Sequence, residues 1–227
     1  MGGDYVTLNQ LVTAFNRTGS YSYKMISWVE NRGLPVHNKR VQQNTFRVVY
    51  LKEFWTWAEK NRSFLDFSKM EDGRFTLSIE QVDLQAEFED AIYTYRELFK
   101  QEAIELNYDG GEDIFDPIPG DPERLKQVFC NVLDNASKHG GAGKRIDAAV
   151  HGTEDSVVIT VRDYGPGIPE EELPFVKQKF YKGSSKARGS GIGLAVCDEI
   201  VRLHGGTFDI GNAEGGGCMV TISLPRA

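Results

Sequence analysis

The sequence predicts an α+β chain in two parts. A small block of helices with a two-stranded β wing comes first, and a two-layer sandwich of helices on a sheet follows. Three observations carry that prediction. Charge is segregated: Met1–Lys69 holds ten Lys and Arg against five Asp and Glu, the remainder 16 against 28, for a net −7. A basic block joined to an acidic one reads as two modules with different partners. From about Phe75 short helical runs give way to strands alternating with longer helices. The closing "GTFDIGNAEGGGCMVTISLP" then reads as two strands around a glycine turn. At 227 residues, 40% apolar and 26% charged, the composition is that of an ordinary globular protein. No apolar run approaches a membrane span and the first residues carry no signal peptide, so a cytoplasmic location is expected. Cys130, Cys197 and Cys218 are odd in number and far apart, which argues against a disulfide framework or a zinc site.

In the first block, Thr7 is placed to cap a helix, with Gln10 completing a capping-box pattern. Leu8, Leu11, Val12 and Phe15 form its apolar face. A second helix begins at Ser20 or Tyr21, with Met25, Trp28 and Val29 inward, and ends at Gly33 before Leu34-Pro35. "VHNKRVQQNTFRVVYLKEF" reads as strand, turn and strand, with the turn at Gln42-Gln43-Asn44. From Leu51 to Met70 the apolar spacing is helical, and Leu51, Phe54, Trp55 and Ala58 are expected to pack on this block. "SYKMISWVENRGLPVHNKR" and "FRVVYLKEFWTWAEK" resemble the winged helix-turn-helix domains of the excisionase and MerR-like group over residues 4–63. The resemblance implies duplex DNA as a partner. Ser22, Tyr23 and Lys24 would face bases or phosphates, and Lys39, Arg40 and Arg47 would touch phosphates. The plainer reading is a set of solvated charges on a small scaffold.

In the second block, 75–227, "SIEQVDLQAEFEDAIYTYRELFKQEAIELNYD" gives strand, helix and strand. "DPERLKQVFCNVLDNASKHGG" gives a helix capped by Asp121 with Pro122 at its first position. "RIDAAVHGTEDSVVITVRDYGPGIP" gives a strand, a turn near His151 and a β run ending in Asp163. "GSGIGLAVCDEIVRLHGG" sets three glycines just before a helix. Such backbone lets an anion approach the helix's unpaired N–H groups, although alone it is equally a loop before a buried helix.

Four boxes then stand in order. "NVLDNASKHGG", "DYGPGIP", "FVKQKFYKG" and "GSGIGLAVCDEIVRLHGG" resemble the N, first glycine, F and second glycine boxes of the GHKL ATPases. "RLKQVFCNVLDNASKH" most resembles the catalytic domain of bacterial sensor histidine kinases. The resemblance implies the Bergerat ATP-binding fold, with ATP and Mg²⁺ as ligands. It assigns Asn135 to the metal, Asn131 to its support or to phosphate, and Lys138 to a phosphate. His139 would lie beside the adenine, Asp163 would accept its exocyclic amine, and Gly165, Gly167 and Ile168 would give the base room. Tyr181 and Lys182 would start the lid, and Gly189, Gly191, Gly193 and Leu194 would close around the phosphates. His204 belongs to the last box.

The family's phosphoacceptor histidine sits on a helical hairpin ahead of this domain. His37, His139, His151 and His204 lack that setting, and only residues 64–74 resemble the hairpin's end. The chain therefore reads as a kinase-type ATP domain spliced to a DNA-binding-type domain, whether as a natural fusion or an engineered chimera. Autophosphorylation within the chain is not expected. A histidine-containing hairpin or response regulator in trans and a second copy of the chain are the protein partners implied. A nucleotide-responsive transcription regulator and a scaffold fusion without kinase activity remain as alternatives.

Overall fold

The computed structural model describes residues 5–15, 30, 33–60, 66, 70, 75–111, 116–178, 181 and 191–226, with the backbone alone at 12–15 and 59–60. The chain divides into two units, Met1–Leu65 and Asp66–Ala227, each taken by itself below.

In the first unit, Thr7 closes a short strand, β1 (Tyr5–Thr7), and opens α1 (Leu8–Phe15). The Gln10 N–H donates to Thr7 Oγ1 at 3.2 Å and the Thr7 N–H to Gln10 Oε1 at 3.0 Å, the reciprocal pair of a capping box. β2 (His37–Val41) and β3 (Asn44–Tyr50) form the hairpin, with Val41 opposite Asn44. Asn44 therefore belongs to the strand, and the turn is Gln42-Gln43. His37 lies within β2 and not ahead of it. β1 was not expected; it pairs with β3, giving the antiparallel order β1-β3-β2.

The helix α2 (Leu51–Lys60) follows β3 without a loop. Phe54, Trp57 and Ala58 pack with Leu8, Leu11, Leu34 and Val49. The expected face was wrong in part: Trp55 is 64% exposed and Leu51 lies outside the core, while Trp57 is buried. The strand feeds directly into the helix. The rest of the expected 51–70 helix and the second helix with Ser22, Tyr23 and Lys24 lie mostly or wholly outside the described residues.

In the second unit, α3 (Leu84–Gln101) starts at Asp83, whose side chain accepts from the Ala86 N–H, and buries Leu84, Phe88, Ala91, Ile92, Tyr95 and Phe99 at helical spacing. α4 (Pro122–Gly140) starts as expected, with Asp121 accepting from the Arg124 N–H at 3.1 Å and Pro122 in its first turn. α5 (Gly193–Leu203) is the third helix. β4 (Glu80–Val82) pairs with β6 (Ile118–Gly120). The main sheet holds β5 (Glu105–Asp109), β7 (Arg145–Gly152), β8 (Ser156–Asp163), β9 (Thr207–Asn212) and β10 (Cys218–Pro225), in the order β5-β7-β8-β10-β9. β5 and β7 run parallel and the other neighbours antiparallel. His151 lies in β7 opposite Val158 and not at the turn.

Val157, Ile159, Val161 and Asp163 alternate as the buried side of β8. α3 packs on β5, α4 on β7, β8 and β10, and α5 on β9 and β10, so one helix layer covers one sheet face. The helix layer is stapled by His204. Its Nε2 accepts the Asp121 N–H at 2.9 Å and its Nδ1 donates to the Ile200 carbonyl at 2.7 Å. At the unit's first residue, Asp66, 3% exposed, meets Arg124 at 2.9 Å and the Gln127 Nε2 at 2.8 Å.

Candidate functional site

α4 sets the first two side chains. Asn131 and Asn135 are both half-buried and one helical turn apart. Asn131 faces the start of α5: a Cβ on Gly193 would stand 3.7 Å from its Oδ1. Its Nδ2 is buried without a partner among the described residues. A buried amide left so costs about 1–3 kcal/mol, a cost that a ligand oxygen removes. The α5 N-terminus that it faces has Ile192 as N-cap and no capping side chain. Gly191 holds φ +70° just ahead of it, and Leu194 is half-buried. Uncapped N–H groups with the positive end of the helix dipole suit an anion. Burial in the next turn pushes the Cys197 thiol up to about 12; it is a core residue.

The second cluster surrounds Asp163, 7% exposed at the end of β8. Its Oδ1 accepts the N–H of Gly165 at 2.9 Å and of Cys218 at 3.2 Å, while Oδ2 takes no bond from the described residues. Gly140 lets the end of α4 lie against this carboxylate, since a Cβ there would sit 2.1 Å from the Asp163 Cβ. His139 is thereby brought to the same place. Partial desolvation lowers its pKa, Asp163 opposes that, and Lys138 adds to it. Burial likewise raises the Cys218 thiol to about 12.

The loop after Asp163 is held by a residue that the sequence reading missed. Asn212 Oδ1 accepts the Ile168 N–H and its Nδ2 donates to the Ile168 carbonyl, both at 2.7 Å. Gly167 has φ +75°, and a Cβ there would stand 2.8 Å from Asn212 Oδ1. Asn212 ends β9 next to the glycine turn, and nothing in its local sequence sets it apart from an ordinary turn asparagine. Lys177 is also new: its Nζ joins Asp198 at 2.9 Å and the Phe208 carbonyl at 2.8 Å, fixing the segment ahead of the expected lid. Tyr181 stands 5.9 Å from the Phe175 ring. Burial and then Glu172 raise its pKa. Lys182 and Gly189 lie outside the described residues.

Lys138 is exposed at the end of α4. Its Nζ meets Asp134 at 3.1 Å, and Asp134 also takes the Tyr95 hydroxyl at 2.9 Å. The i, i+4 spacing favours that local pair over a reach toward α5. In the first unit, Lys39 stands 3.8 Å over the Tyr5 ring and Arg47 pairs with Glu30; Arg40 is exposed. Two of the three wing cations are therefore engaged within the unit.

Behind Asp163, on the opposite sheet face, Asp147 accepts from Arg145 at 2.8 Å, Tyr164 at 2.6 Å and Asn107 at 3.0 Å. Burial pushes its carboxyl up, but these bonds win and hold it at about 2. An acid held below its ordinary value stabilises the fold above that value and loses the contribution as pH falls toward 2. Asp147→Asn should therefore cost about 1–2 kcal/mol at pH 6, partial exposure included, and almost nothing near pH 2. Urea unfolding of both proteins at the two pH values checks this.

Among the described residues no three His, Cys, Asp or Glu cluster as a metal site. The amide oxygens of α4 are hard donors, which suits Mg²⁺ shared with phosphates. No described helix is long and apolar enough to cross a membrane.

Residues 120–227 match the family of histidine kinase-, DNA gyrase B- and HSP90-like ATPases. The signal transduction histidine-protein kinase AfsQ2 of Streptomyces coelicolor is 43% identical over 109 residues, 47% of this chain and 20% of its own length. The swarming motility regulation sensor protein RssA of Serratia marcescens is 35% identical over 173 residues, 75% of this chain and 36% of its own. The chain thus spans only a minor part of each of these relatives. Among solved structures, the mycobacterial sensor histidine kinase MprB gives a TM-score of 0.55 at 27% identity, covering 65% of this chain and 99% of that one. The catalytic domain of the histidine kinase ThkA gives 0.58 at 24% identity, covering 66% and 99%, a likeness of fold. The second unit therefore carries, over residues 120–227, a domain of the histidine kinase-, DNA gyrase B- and HSP90-like ATPase family.

Proposed function

We propose that the second unit binds ATP with Mg²⁺ and acts as the catalytic domain of a sensor histidine kinase, passing the γ-phosphoryl group to a histidine supplied in trans. The observation that carries this reading is Asp163: a buried carboxylate with Oδ1 fixed by two backbone donors and Oδ2 left to accept. An adenine amine satisfies it, whereas guanine offers a carbonyl at that position and leaves both oxygens facing each other. Asn131 and the uncapped start of α5 suit the phosphates, and Asn135 offers an amide oxygen to the metal. Mg²⁺, when bound, neutralises phosphate charge. Neither Asp163 nor Asn135 is the nucleophile; the chain's part is to bind and orient.

The test is titration with a non-hydrolysable ATP analogue and Mg²⁺. An Asn at 163 keeps its oxygen on the Gly165 and Cys218 N–H groups and turns its NH₂ toward the amine, donor against donor. Asp163→Asn should weaken the analogue by about 1–3 kcal/mol, roughly tenfold to a hundredfold. Unchanged affinity would remove the assignment. Running the titration with and without duplex DNA tests the second reading, that the basic first unit, with Arg40 exposed on β2, contacts DNA. Salt-dependent affinity that responds to nucleotide supports a regulator; no DNA affinity leaves the first unit a scaffold.

A further inference from the structure

We infer that Arg162 is a positioning residue for base selection, acting on Asp163 from the far side of the sheet; this rests on the ATP reading above. β8 alternates, so Arg162 points away from the helix layer while Asp163 points into it. The guanidinium reaches the β9–β10 turn, where its Nη2 donates to the Glu214 carbonyl at 2.7 Å and the Gly216 carbonyl at 3.2 Å. That turn is three successive glycines, Gly215, Gly216 and Gly217, with φ of +82°, +100° and +81°. Such backbone has little stiffness of its own. Yet the next residue, Cys218, supplies one of the two N–H groups that hold the Asp163 carboxylate. Two backbone hydrogen bonds close the turn, Gly216 N–H to the Ala213 carbonyl and Ala213 N–H to the Gly217 carbonyl, both at 3.0 Å; Arg162 adds the side-chain bonds that tie it to β8, the strand that carries Asp163.

The guanidinium is itself held. It stacks at 4.5 Å on the Tyr164 ring, and the Arg145 guanidinium lies 4.7 Å from the same ring. The Tyr164 hydroxyl is anchored on Asp147 at 2.6 Å. Arg162 Nε is buried with no hydrogen-bond partner among the described residues. An orphan of that kind is tolerated where the planar group gains from the stack and from the two carbonyls. The residues on both sides of Asp163 in sequence are therefore locked on one face so that the carboxylate is fixed on the other.

The experiment measures affinities for ADP and GDP, each with Mg²⁺, for the wild-type chain, Arg162→Lys, Arg162→Met and Tyr164→Phe. Lysine keeps the charge but not the planar fork. The expected result is that both Arg162 variants lose about tenfold or more in the ADP-to-GDP affinity ratio, with Tyr164→Phe losing less. A structural role alone lowers both affinities together and keeps the ratio; that result overturns the inference. An unchanged ratio in a folded Arg162→Lys also overturns it, whatever Arg162→Met does. A wild-type chain that binds neither nucleotide overturns the ATP reading itself, which is a separate failure.

Discussion

Gly217→Ala should cost the second unit about 2–5 kcal/mol and remove most of its nucleotide affinity. Two effects add. The residue sits at φ +81°, where an L side chain costs about 1–2 kcal/mol. Its Cβ would also lie 1.9 Å from the Asp163 carbonyl oxygen and 3.0 Å from the Tyr164 Cα. Both neighbours are backbone, the last residue of β8 and the one after it, and not the far end of a flexible side chain, so relief needs a main-chain shift, and overpacking of this kind adds about 1–3 kcal/mol. The atoms forced to move belong to Asp163 and its successor, which is why binding falls with stability. Gly216→Ala separates the two effects: it has φ +100° but nothing within 4 Å of the added carbon, so it should show the conformational cost alone. Gly211→Ala, with open space and no positive φ, should be close to neutral. Urea midpoints and nucleotide titrations on the three variants check the order; Gly217→Ala no worse than Gly216→Ala would refute the clash argument.

Asp66→Ala should be comparably damaging, at about 3–5 kcal/mol, for an electrostatic reason. The Asp66 side chain is 4% exposed and its Arg124 partner 17%. Removing the carboxylate leaves a guanidinium in a low-dielectric place with Gln127, at 3.0 Å, as its remaining side-chain hydrogen-bond partner among the described residues. Gln127 loses its own acceptor as well. Replacing both charges, as Asp66→Met with Arg124→Met, should recover much of the loss, because most of it is the stranded charge and not the absent bond. All three tryptophans lie in the first unit, so far-UV circular dichroism is the suitable probe of unfolding. A double variant no more stable than Asp66→Ala would show that the pair itself, not the uncompensated charge, carries the energy.

How legible these features were in the sequence follows from how local they are. The Thr7–Gln10 capping box, the Asp121 cap with Pro122 and the strand ending at Asp163 are set within four or five residues, and each stood in the sequence before any fold was known. The helical face of α2 was misjudged by one position because Leu51, Phe54, Trp55 and Ala58 and the set Phe54, Trp57 and Ala58 both fit a helical period. The choice between them lies in tertiary packing on Leu8, Leu11, Leu34 and Val49, which no local spacing encodes. Asn212 and Arg162 were invisible for another reason: Asn212 acts on a loop 44 positions away, and Arg162 on carbonyls 52 and 54 positions away. No spacing rule reaches that far.

Among the described strands, β5 and β9 are the two edges of the main sheet. β5 reads Glu-Leu-Asn-Tyr-Asp, and its exposed positions are Glu105, Asn107 and Asp109; β9 exposes Asp209 and Asn212. An unpaired edge is a template for a foreign strand, and a row of carboxylates along it opposes that addition. Two β5 edges brought together in register would set Glu105 and Asp109 against like charges, whether parallel or antiparallel. Growth of this sheet from one molecule into the next is therefore opposed by Glu105 and Asp109 on β5 and by Asp209 on β9.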